Sequence, residues 1–505
     1  MSPRTPVLVA GLVAGLAVWQ VPVTARAARP APAPAPAVPP ATAAGRITGA
    51  ELTGSQAHTI LQSLTDSVGA RFAGTPGAER AVEWALAEMR RVGLKNVRRE
   101  TVKVPRWVRG EAQVEVVAPS PHPLHAVALG GSVGTPAEGL TAEVVEVMSF
   151  DELKALGERV RGKIVLFNKP MVRSHGFEGY GTAVPQRSRG AVEAARLGAV
   201  AVLVRSIGTG AFRLPHTGAL RYDDAVPKIP AAALALEDAD LLHRLLAGST
   251  PATGAAPAQT PAQVPVPVKV RLRLGAHMDG EVESANVVGE IPGQGRPEEF
   301  VLIGAHLDSW DLATGALDDG AGCAIVLETA RLLTQLGLVP RRTLRVVLFM
   351  NEEFGLSGAR AYAEAHKGEL SRHVAAMESD SGAGKPYGIT VAGGEATAQM
   401  ARALMEPLHA LGVTELRQAD ETGADLIPLK GHGIAMLGIA QDVSSYFDWH
   451  HTAADTLDKA DPFELSLAAA AFAVMAHAVA DLPTRLPAPP PATAAATTPP
   501  VPPQR

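Results

Sequence analysis

The sequence predicts an α/β fold in which a mixed, mostly parallel sheet carries helices on both faces and a second α/β domain is inserted. From residue 284 onward, short apolar runs alternate with segments of helical periodicity, the order that gives parallel strands joined by helices. A second group of strand and helix patterns at 118–275 interrupts the main domain. Because the chain has 505 residues, two domains are also expected from its length.

The two ends of the chain do not have the composition of a packed core. Residues 1–28 combine Arg4, an apolar run and an Ala-Arg-Ala sequence, which predicts a cleaved secretory signal and export to the periplasm or the exterior. An uncleaved anchor stays open, although the apolar run is short for a membrane span. Residues 29–45, almost all Ala and Pro, predict an extended linker, and residues 483–505 predict a disordered tail.

Charge and cysteine content exclude several kinds of protein. The net charge of −5 provides no basic surface for nucleic acid, and no stable membrane span is expected in the mature chain. The chain has one cysteine, so no disulfide framework can form. That residue, Cys323, lies in an apolar helical run and is predicted to be a small buried side chain rather than a nucleophile.

The main domain is predicted in two parts, residues 46–117 and 276–482. The first part has predicted helices at 48–68 and 78–92 and strands at 95–104 and 111–117. The second part has predicted strands at 284–288, 300–305, 343–350, 374–377 and 434–439, and helices at 320–336, 355–366, 397–411 and 462–482. The last helix contains Glu464, His477 and Asp481, which favours packing inside the fold over a membrane.

The inserted domain is predicted at 118–275. Its expected elements are strands at 162–168, 198–204 and 268–274 and helices at 188–197 and 237–246. Residues 249–267 predict a flexible surface insertion. The titratable residues of this domain have no metal or catalytic spacing, so His175, His216 and Asp223-Asp224 are expected on the surface or in loops.

A loop rich in carboxylates follows the predicted strand at 300–305. The stretch Gly304–Gly322, GAHLDSWDLATGALDDGAG, supplies His306, Asp308 and Asp318 before a helix begins. In open α/β sheets, ligands bind at the carboxyl ends of strands, where this loop lies. Imidazole and carboxylate together suit zinc, and an Asp two residues after a His can accept the second ring N–H.

Three further stretches place candidate ligands after strands or near the same sheet edge: Glu352-Glu353, Asp380 and His450-His451. Two histidines and three carboxylates exceed the needs of one tetrahedral zinc ion. They fit two zinc ions about 3.5–4 Å apart that share one carboxylate. Of two adjacent glutamates, one can bind metal while its neighbour stays free as a base.

Five separated stretches resemble, in order, the motifs of the co-catalytic zinc exopeptidases, the family of bacterial leucyl aminopeptidases and glutamate carboxypeptidases. They are GAHLDSWD with GALDDGAG, FMNEEFGLSGA, MESDSGAG, TGADLIPL with GIAML, and WHHTAADT. The resemblance covers about residues 47–482 and implies that the insert is a protease-associated domain. It also implies a secreted di-zinc exopeptidase whose substrates are dipeptides or short peptides.

The resemblance implies a role for each candidate residue. For the metals, Asp318 would bridge two zinc ions, His306 and Asp380 would complete one, and Glu353 and His451 the other. For catalysis, Glu352 would be the general base, Asp308 would orient His306, and His450 would contact the oxyanion or the substrate. The Asp318–Asp319 peptide bond is expected to be cis.

Several alternatives stay open. An aminopeptidase of the same fold differs only in the substrate end that it captures, and Arg187, Arg189 and Lys385 are candidates for that capture without diagnostic spacing. A non-catalytic, receptor-like ectodomain and a one-zinc cyclase of N-terminal glutamine are disfavoured by the complete ligand set. The insert could cover the site or form the contact of a homodimer.

Overall fold

The computed structural model describes residues 40–248 and 266–488. The predicted signal, most of the predicted linker, nearly all of the surface insertion and the tail from residue 489 lie outside the described residues. Two eight-stranded sheets organise the described part of the chain.

The described helices and strands alternate along most of the chain. The helices are α1 (Pro40–Gly54), α2 (Ala57–Ser67), α3 (Pro76–Arg91), α4 (Phe150–Leu156), α5 (Glu178–Arg196), α6 (Leu236–Gly248), α7 (Ala321–Leu336), α8 (Ser357–Ala365), α9 (Glu395–Met405) and α10 (Pro462–Asp481). The strands are β1 (Lys95–Val108), β2 (Ala112–Ala118), β3 (His122–Leu124), β4 (Ala126–Ala128), β5 (Leu140–Val147), β6 (Ile164–Phe167), β7 (Ala201–Arg205), β8 (Ala231–Leu234), β9 (Lys269–Leu274), β10 (His277–Ile291), β11 (Arg296–His306), β12 (Arg342–Phe349), β13 (His373–Glu378), β14 (Pro386–Ala392), β15 (Glu415–Gln418) and β16 (Ala435–Gln441).

The first sheet has the order β1-β10-β12-β11-β13-β16-β14-β15. Its four central strands, β12, β11, β13 and β16, are parallel, whereas β1 and β10 form an antiparallel ribbon and β14 runs antiparallel to β16. The predicted mixed, mostly parallel sheet is therefore confirmed. The parallel strands end at one edge, and the loops that follow them meet there.

Helices cover both faces of this sheet because side chains alternate along its buried strands. On β11, Val301 and Ile303 pack in the same apolar cluster as α7 and α10. Leu302 points to the opposite face and packs with Ala359 and Tyr362 of α8. Among the described residues, α10 is the one helix long and apolar enough to cross a membrane, but most of it is buried inside the protein, as expected for a core helix.

The second sheet is built from residues 112–274 and has the order β3-β2-β9-β5-β6-β7-β8-β4. The strand predicted at 111–117, assigned above to the main domain, is β2 and pairs with β3 and β9 in this second sheet. The chain enters and leaves the sheet at Gly110 and Gly275, which lie so close that a Cβ on Gly110 would meet Gly275 carbonyl carbon at 2.6 Å. The assignment of this unit as a protease-associated domain stays a prediction.

One helix prediction and one linker prediction near the beginning of the described chain were wrong in their bounds. The helix predicted at 48–68 is two helices, α1 and α2, separated at Ser55 and Gln56. Residues 40–45, predicted as linker, belong to α1, where Ala43 and Ala44 are buried. Alanine has the highest helix propensity, so an Ala-rich stretch becomes helical once it can pack against a neighbouring helix.

The helix predicted at 188–197 begins ten residues earlier, as α5 from Glu178. Pro185 and the glycines before it resemble a turn in the sequence, yet Pro185 lies inside the helix. This difference matters for the site, because the additional turns carry Tyr180 and Arg187 toward the carboxyl ends of the first sheet's strands.

Candidate metal centre

The loops at the carboxyl edge of the first sheet bring the predicted ligands together around Asp318. His306 ends β11, Glu353 follows β12, and Asp380 follows β13. His451 lies in the loop after β16. The two oxygens of Asp318 face different partners: Oδ1 lies 3.1 Å from His306 Nε2, and Oδ2 lies 3.0 Å from His451 Nε2.

Each side of Asp318 has a further carboxylate. Asp380 Oδ1 lies 3.8 Å from His306 Nε2, and Glu353 Oε2 lies 3.0 Å from His451 Nε2. The arrangement is that of two ligand sets sharing one aspartate, with Asp318 between them.

The donor set fits two divalent metal ions. Among the described residues, ligand atoms of His306, Asp318 and Asp380 lie close enough to hold one ion, and those of Asp318, His450 and His451 close enough to hold another. Glu353 Oε1 is buried and accepts no hydrogen bond from the described residues, as expected for an oxygen that faces a cation. Nitrogen and carboxylate ligands of this kind suit zinc.

His450 lies close to the ligand set of Glu353 and His451, closer than a contact to the oxyanion or the substrate requires. Its Nε2 is 3.4 Å from Asp318 Oδ2, and its ring stacks on that of His451 with centroids 3.6 Å apart. Burial, followed by repulsion from His451, lowers the pKa of His450 well below its usual value, so this imidazole is neutral.

The charges of the centre require cations. Burial, and after it the Asp318 carboxylate, raises the pKa of Glu353 to about 7. Burial also raises the pKa of Asp380 to about 6. Burial opposes ionisation of Asp318 as well, but its contacts with His306 and His451 outweigh burial and lower the pKa of Asp318. So many buried carboxylates are costly unless cations neutralise them.

Asp308 has a different contact from the one that its spacing suggested. The acceptor next to His306 Nδ1 is the main-chain carbonyl of Asp308 at 3.1 Å, while its carboxylate Oδ1 is 3.9 Å away. That carboxylate instead accepts the backbone N–H groups of Asn351 at 2.6 Å and Glu352 at 3.0 Å. Asp308 therefore orients His306 through its backbone and fixes the backbone of Glu352 through its side chain.

Two further acids accept hydrogen bonds from main-chain N–H groups at and near Asp318. Asp455 accepts the N–H of Leu317 at 2.7 Å and that of Asp318 at 3.1 Å. Asp319, joined to Asp318 by the expected cis peptide bond, accepts the N–H of His306 at 3.1 Å through Oδ2. The sequence analysis assigned neither acid this role, because a main-chain hydrogen bond leaves no spacing pattern.

Arg71 is a supporting residue that the sequence analysis missed. It is fully buried, with Nε 2.6 Å from Leu307 O and Nη2 2.9 Å from Gly315 O, so it ties the two ends of the ligand loop together. The available signal was an arginine inside a Gly-rich turn between two helices, which alone does not predict burial.

The prediction for Cys323 is confirmed. Its thiol is buried and donates to His306 O at 3.1 Å, and burial raises the pKa of the thiol to about 12. His216 lies in a loop, as predicted, but it is buried, with both ring nitrogens lacking a hydrogen bond to described residues. His175 is exposed as expected.

A cavity of about 570 Å³ opens onto the centre between the two sheets' domains. Its wall includes Glu352, His450 and, from the second domain, Tyr180 and Arg187. Arg187 is buried, whereas Arg189 lies over the ring of Phe150, away from this cavity. The sequence could not place this wall, because it is formed by a helix whose start was predicted too late.

Metal removal should weaken the fold most at high pH. In the metal-free protein, burial raises the pKa of Glu378 to about 8 and that of Asp455 to about 7. Between about pH 4 and pH 8 the folded state then holds protons that the unfolded state releases, so stability falls as pH rises. The raised pKa of His451, about 10, acts in the same direction, because its charged form is favoured in the fold.

We therefore expect chelation to lower the melting temperature by more at pH 8 than at pH 5.5. The measurement is calorimetric melting of metal-loaded and chelated protein at both values. A chelated protein that melts higher at pH 8 than at pH 5.5 would contradict this assignment of charges.

Fold and site together define a class of protein: an α/β protein whose candidate metal centre lies at the carboxyl edge of a mixed sheet. Comparison with known proteins supports this class. The model of peptidase family M28 matches residues 286–476. Carboxypeptidase Q of Mus musculus is 38% identical over 433 residues, which are 86% of this chain and 87% of the relative.

Solved structures have the same fold as this chain. The crystal structure of a peptidase M28 precursor from Shewanella amazonensis SB2B has a TM-score of 0.83 at 39% identity, covering 89% of this chain and 99% of that chain. The zinc aminopeptidase BSAP from Bacillus subtilis has a TM-score of 0.58 at 20% identity, covering 83% of this chain and 94% of that chain, and shares the fold. The chain belongs to peptidase family M28 and is a metallopeptidase similar to carboxypeptidase Q.

Proposed function

We propose that this chain is an exported di-zinc exopeptidase that hydrolyses dipeptides or short peptides, as its similarity to carboxypeptidase Q suggests. One observation supports the proposal of two metal ions: the two oxygens of Asp318 face separate His–carboxylate sets. The presence of a complete donor set disfavours a non-catalytic receptor-like ectodomain. Export rests on the composition of residues 1–28, and sequencing the N-terminus of the mature protein tests it.

Bound zinc would polarise the attacking water and the substrate carbonyl. Glu352 lines the cavity that opens onto the centre. Asp308 fixes the backbone of Glu352, so the Glu352 side chain can face the substrate from a rigid main chain. Glu352 takes a proton from the attacking water and passes it to the leaving amine.

His450 is placed to stabilise the developing negative charge. It lines the same cavity as Glu352, and its imidazole is neutral, so a ring N–H can donate to the oxygen of the tetrahedral intermediate. Its ring is held between those of His451 and Tyr446. This packing pre-organises the donor before substrate binds.

Arg187 favours a substrate with a free carboxylate. Its guanidinium is buried in the cavity wall, donates to Tyr180 Oη at 2.8 Å, and has no carboxylate partner among the described residues. A buried cation without a counter-ion attracts an anion of the ligand. A peptide whose C-terminus reaches Arg187 would supply that anion.

Replacing Arg187 by methionine should raise KM for a dipeptide with a free carboxylate by about 10–100-fold, since a charged hydrogen bond contributes roughly 1.5–3 kcal/mol. The C-amidated dipeptide should be affected much less. Arg189→Met, on the same helix but outside the cavity, is the matched control. An equal loss for the acid and the amide would show that Arg187 does not read the carboxylate.

The opposite side of the centre favours a free amine. A second cavity of about 390 Å³ meets the first at Asp380 and contains Glu378. Glu378 is buried, accepts Asp425 N at 3.1 Å, and has no cationic partner among the described residues. Burial raises the pKa of Glu378 to about 8, and an ammonium group bound beside it would favour its charged form. A dipeptide or short peptide with both ends free matches the two cavities better than one with a single free end.

A hydrolysis panel tests the proposal. Protein lacking residues 1–28 is incubated with a dipeptide, its N-acetyl form and its C-amide, each with and without a zinc chelator. Chelator-sensitive cleavage that needs both free ends is the expected result. Cleavage of the amide but not the acetyl form would indicate the alternative, an aminopeptidase, and the reverse would indicate a carboxypeptidase without a requirement for the amine.

A further inference from the structure

The loop that carries His450 and His451 is held mainly by the second domain. We call residues 442–452, which follow β16, the histidine loop. Three of its backbone groups bond to the segment between β6 and β8 of the second sheet. These bonds are Val443 N to His175 O at 3.2 Å, Thr209 N to Phe447 O at 3.0 Å, and Thr217 N to His451 O at 2.9 Å.

An ion pair fastens the middle of the histidine loop to the same segment. Arg173 contacts Asp448 through both arms of its guanidinium, with Nη2–Oδ1 at 2.6 Å and Nη1–Oδ2 at 3.1 Å. Thr209 Oγ1 donates to the same carboxylate at 2.7 Å. Phe212 stacks on Trp449 with ring centroids 4.5 Å apart. A two-armed contact of this kind fixes direction as well as distance.

Thr217 holds His451 from two sides. Its N–H donates to the His451 carbonyl, and its own carbonyl lies 3.2 Å from His451 Nδ1. An Nδ1–H that donates to this carbonyl leaves Nε2 as the metal-binding nitrogen, the atom that faces Asp318 and Glu353. His451 has φ +62°, a conformation that non-glycine residues rarely adopt, so its neighbours must hold it in place.

We propose that Thr217 and Arg173 are positioning residues for His451, so that the second domain sets the zinc affinity of the site formed by Glu353 and His451. Thr217 acts directly on the imidazole, and Arg173 acts through Asp448 on the loop. The His306–Asp380 site has no such contact with Arg173 or Thr217 and should be independent of them. This inference rests on the proposed two-zinc centre but not on the choice of peptide substrate.

The test is zinc affinity, measured by competition with a chromogenic chelator on the full chain. Arg173→Met keeps the aliphatic stem and removes the ion pair; Arg173 is 47% exposed, so the variant should fold. We expect the zinc affinity of one of the two sites to fall by about tenfold. This is the low end of the range observed when a residue that orients a metal ligand is lost. Asp448→Asn should give the same change, and the double variant little more.

Arg271→Met is the matched control. Arg271 pairs with Glu115 on the second sheet at a similar exposure, 44%, and does not contact the histidine loop. Steady-state kinetics are a second readout for Arg173→Met. In that variant kcat should fall by a larger factor than KM changes, because the metal ligand is disturbed and the substrate contact is not.

Unchanged affinity at both zinc sites in Arg173→Met and Asp448→Asn would overturn the proposal. An equal weakening of both sites, together with a lower melting temperature of the metal-free protein, would also overturn it, because that pattern means general destabilisation. If the protein binds two zinc ions but cleaves no peptide, the proposed function fails while the affinity measurement still decides this inference.

Discussion

Glu352→Gln is expected to bind zinc like the unchanged protein and to lose about 10²–10⁴-fold in kcat, the contribution of a positioned acid–base group. Glutamine keeps the shape of the side chain but cannot accept the proton of the attacking water. Glu352 is not among the groups that hold Asp318, His306 or His451, so the metal centre should stay intact. The measurement is steady-state kinetics on a dipeptide with zinc content determined on the same sample.

Glu364→Gln is a suitable control for this substitution. Glu364 lies on the exposed side of α8 and pairs with Lys367. Undiminished turnover in zinc-loaded Glu352→Gln would remove Glu352 from the reaction. Loss of zinc in the same variant would instead make Glu352 a ligand and leave the base unassigned.

Asp318→Ala is expected to abolish zinc binding at both sites and to leave no measurable peptidase activity. Both ligand sets lose their shared oxygen donor, and the two metal ions lose the anion that screens their repulsion. The expected loss of zinc affinity exceeds about 100-fold, which is the upper end for residues that only orient a metal ligand. Calorimetric zinc titration measures it, and Asp458→Ala, an exposed acid paired with Lys459, is the control.

Retention of one tightly bound zinc ion by Asp318→Ala would contradict the shared ligand. It would mean that one His–carboxylate set is complete without Asp318. Activity in that variant would further show that one ion is sufficient for the reaction.

The sequence predicted which candidate ligands the fold brings together, because these residues follow buried strands. His306, Glu353 and Asp380 each come directly after an apolar run, and parallel strands place such positions at one edge. Residues whose roles depend on main-chain contacts were not predictable in the same way. Arg71 and Asp455 hold backbone groups of the ligand loop, and no spacing in the sequence reports such a contact.

Long-range packing limited the rest of the prediction. The strand expected at 284–288 is the 15-residue β10, because its exposed first half pairs with β1 and lacks an apolar signature. α5 begins before Pro185, so the cavity wall with Arg187 could not be placed from the sequence. His216 is buried, and its isolated position in a loop of the sequence does not indicate this.

The most direct test of the central claim is anomalous X-ray scattering at the zinc edge from crystals of the zinc-loaded protein. The proposal of a shared aspartate predicts two anomalous peaks about 3.5–4 Å apart on either side of Asp318. One peak should lie beside His306 and Asp380, and the other beside Glu353 and His451. A single peak in active protein, or two peaks of which neither touches Asp318, would contradict the claim.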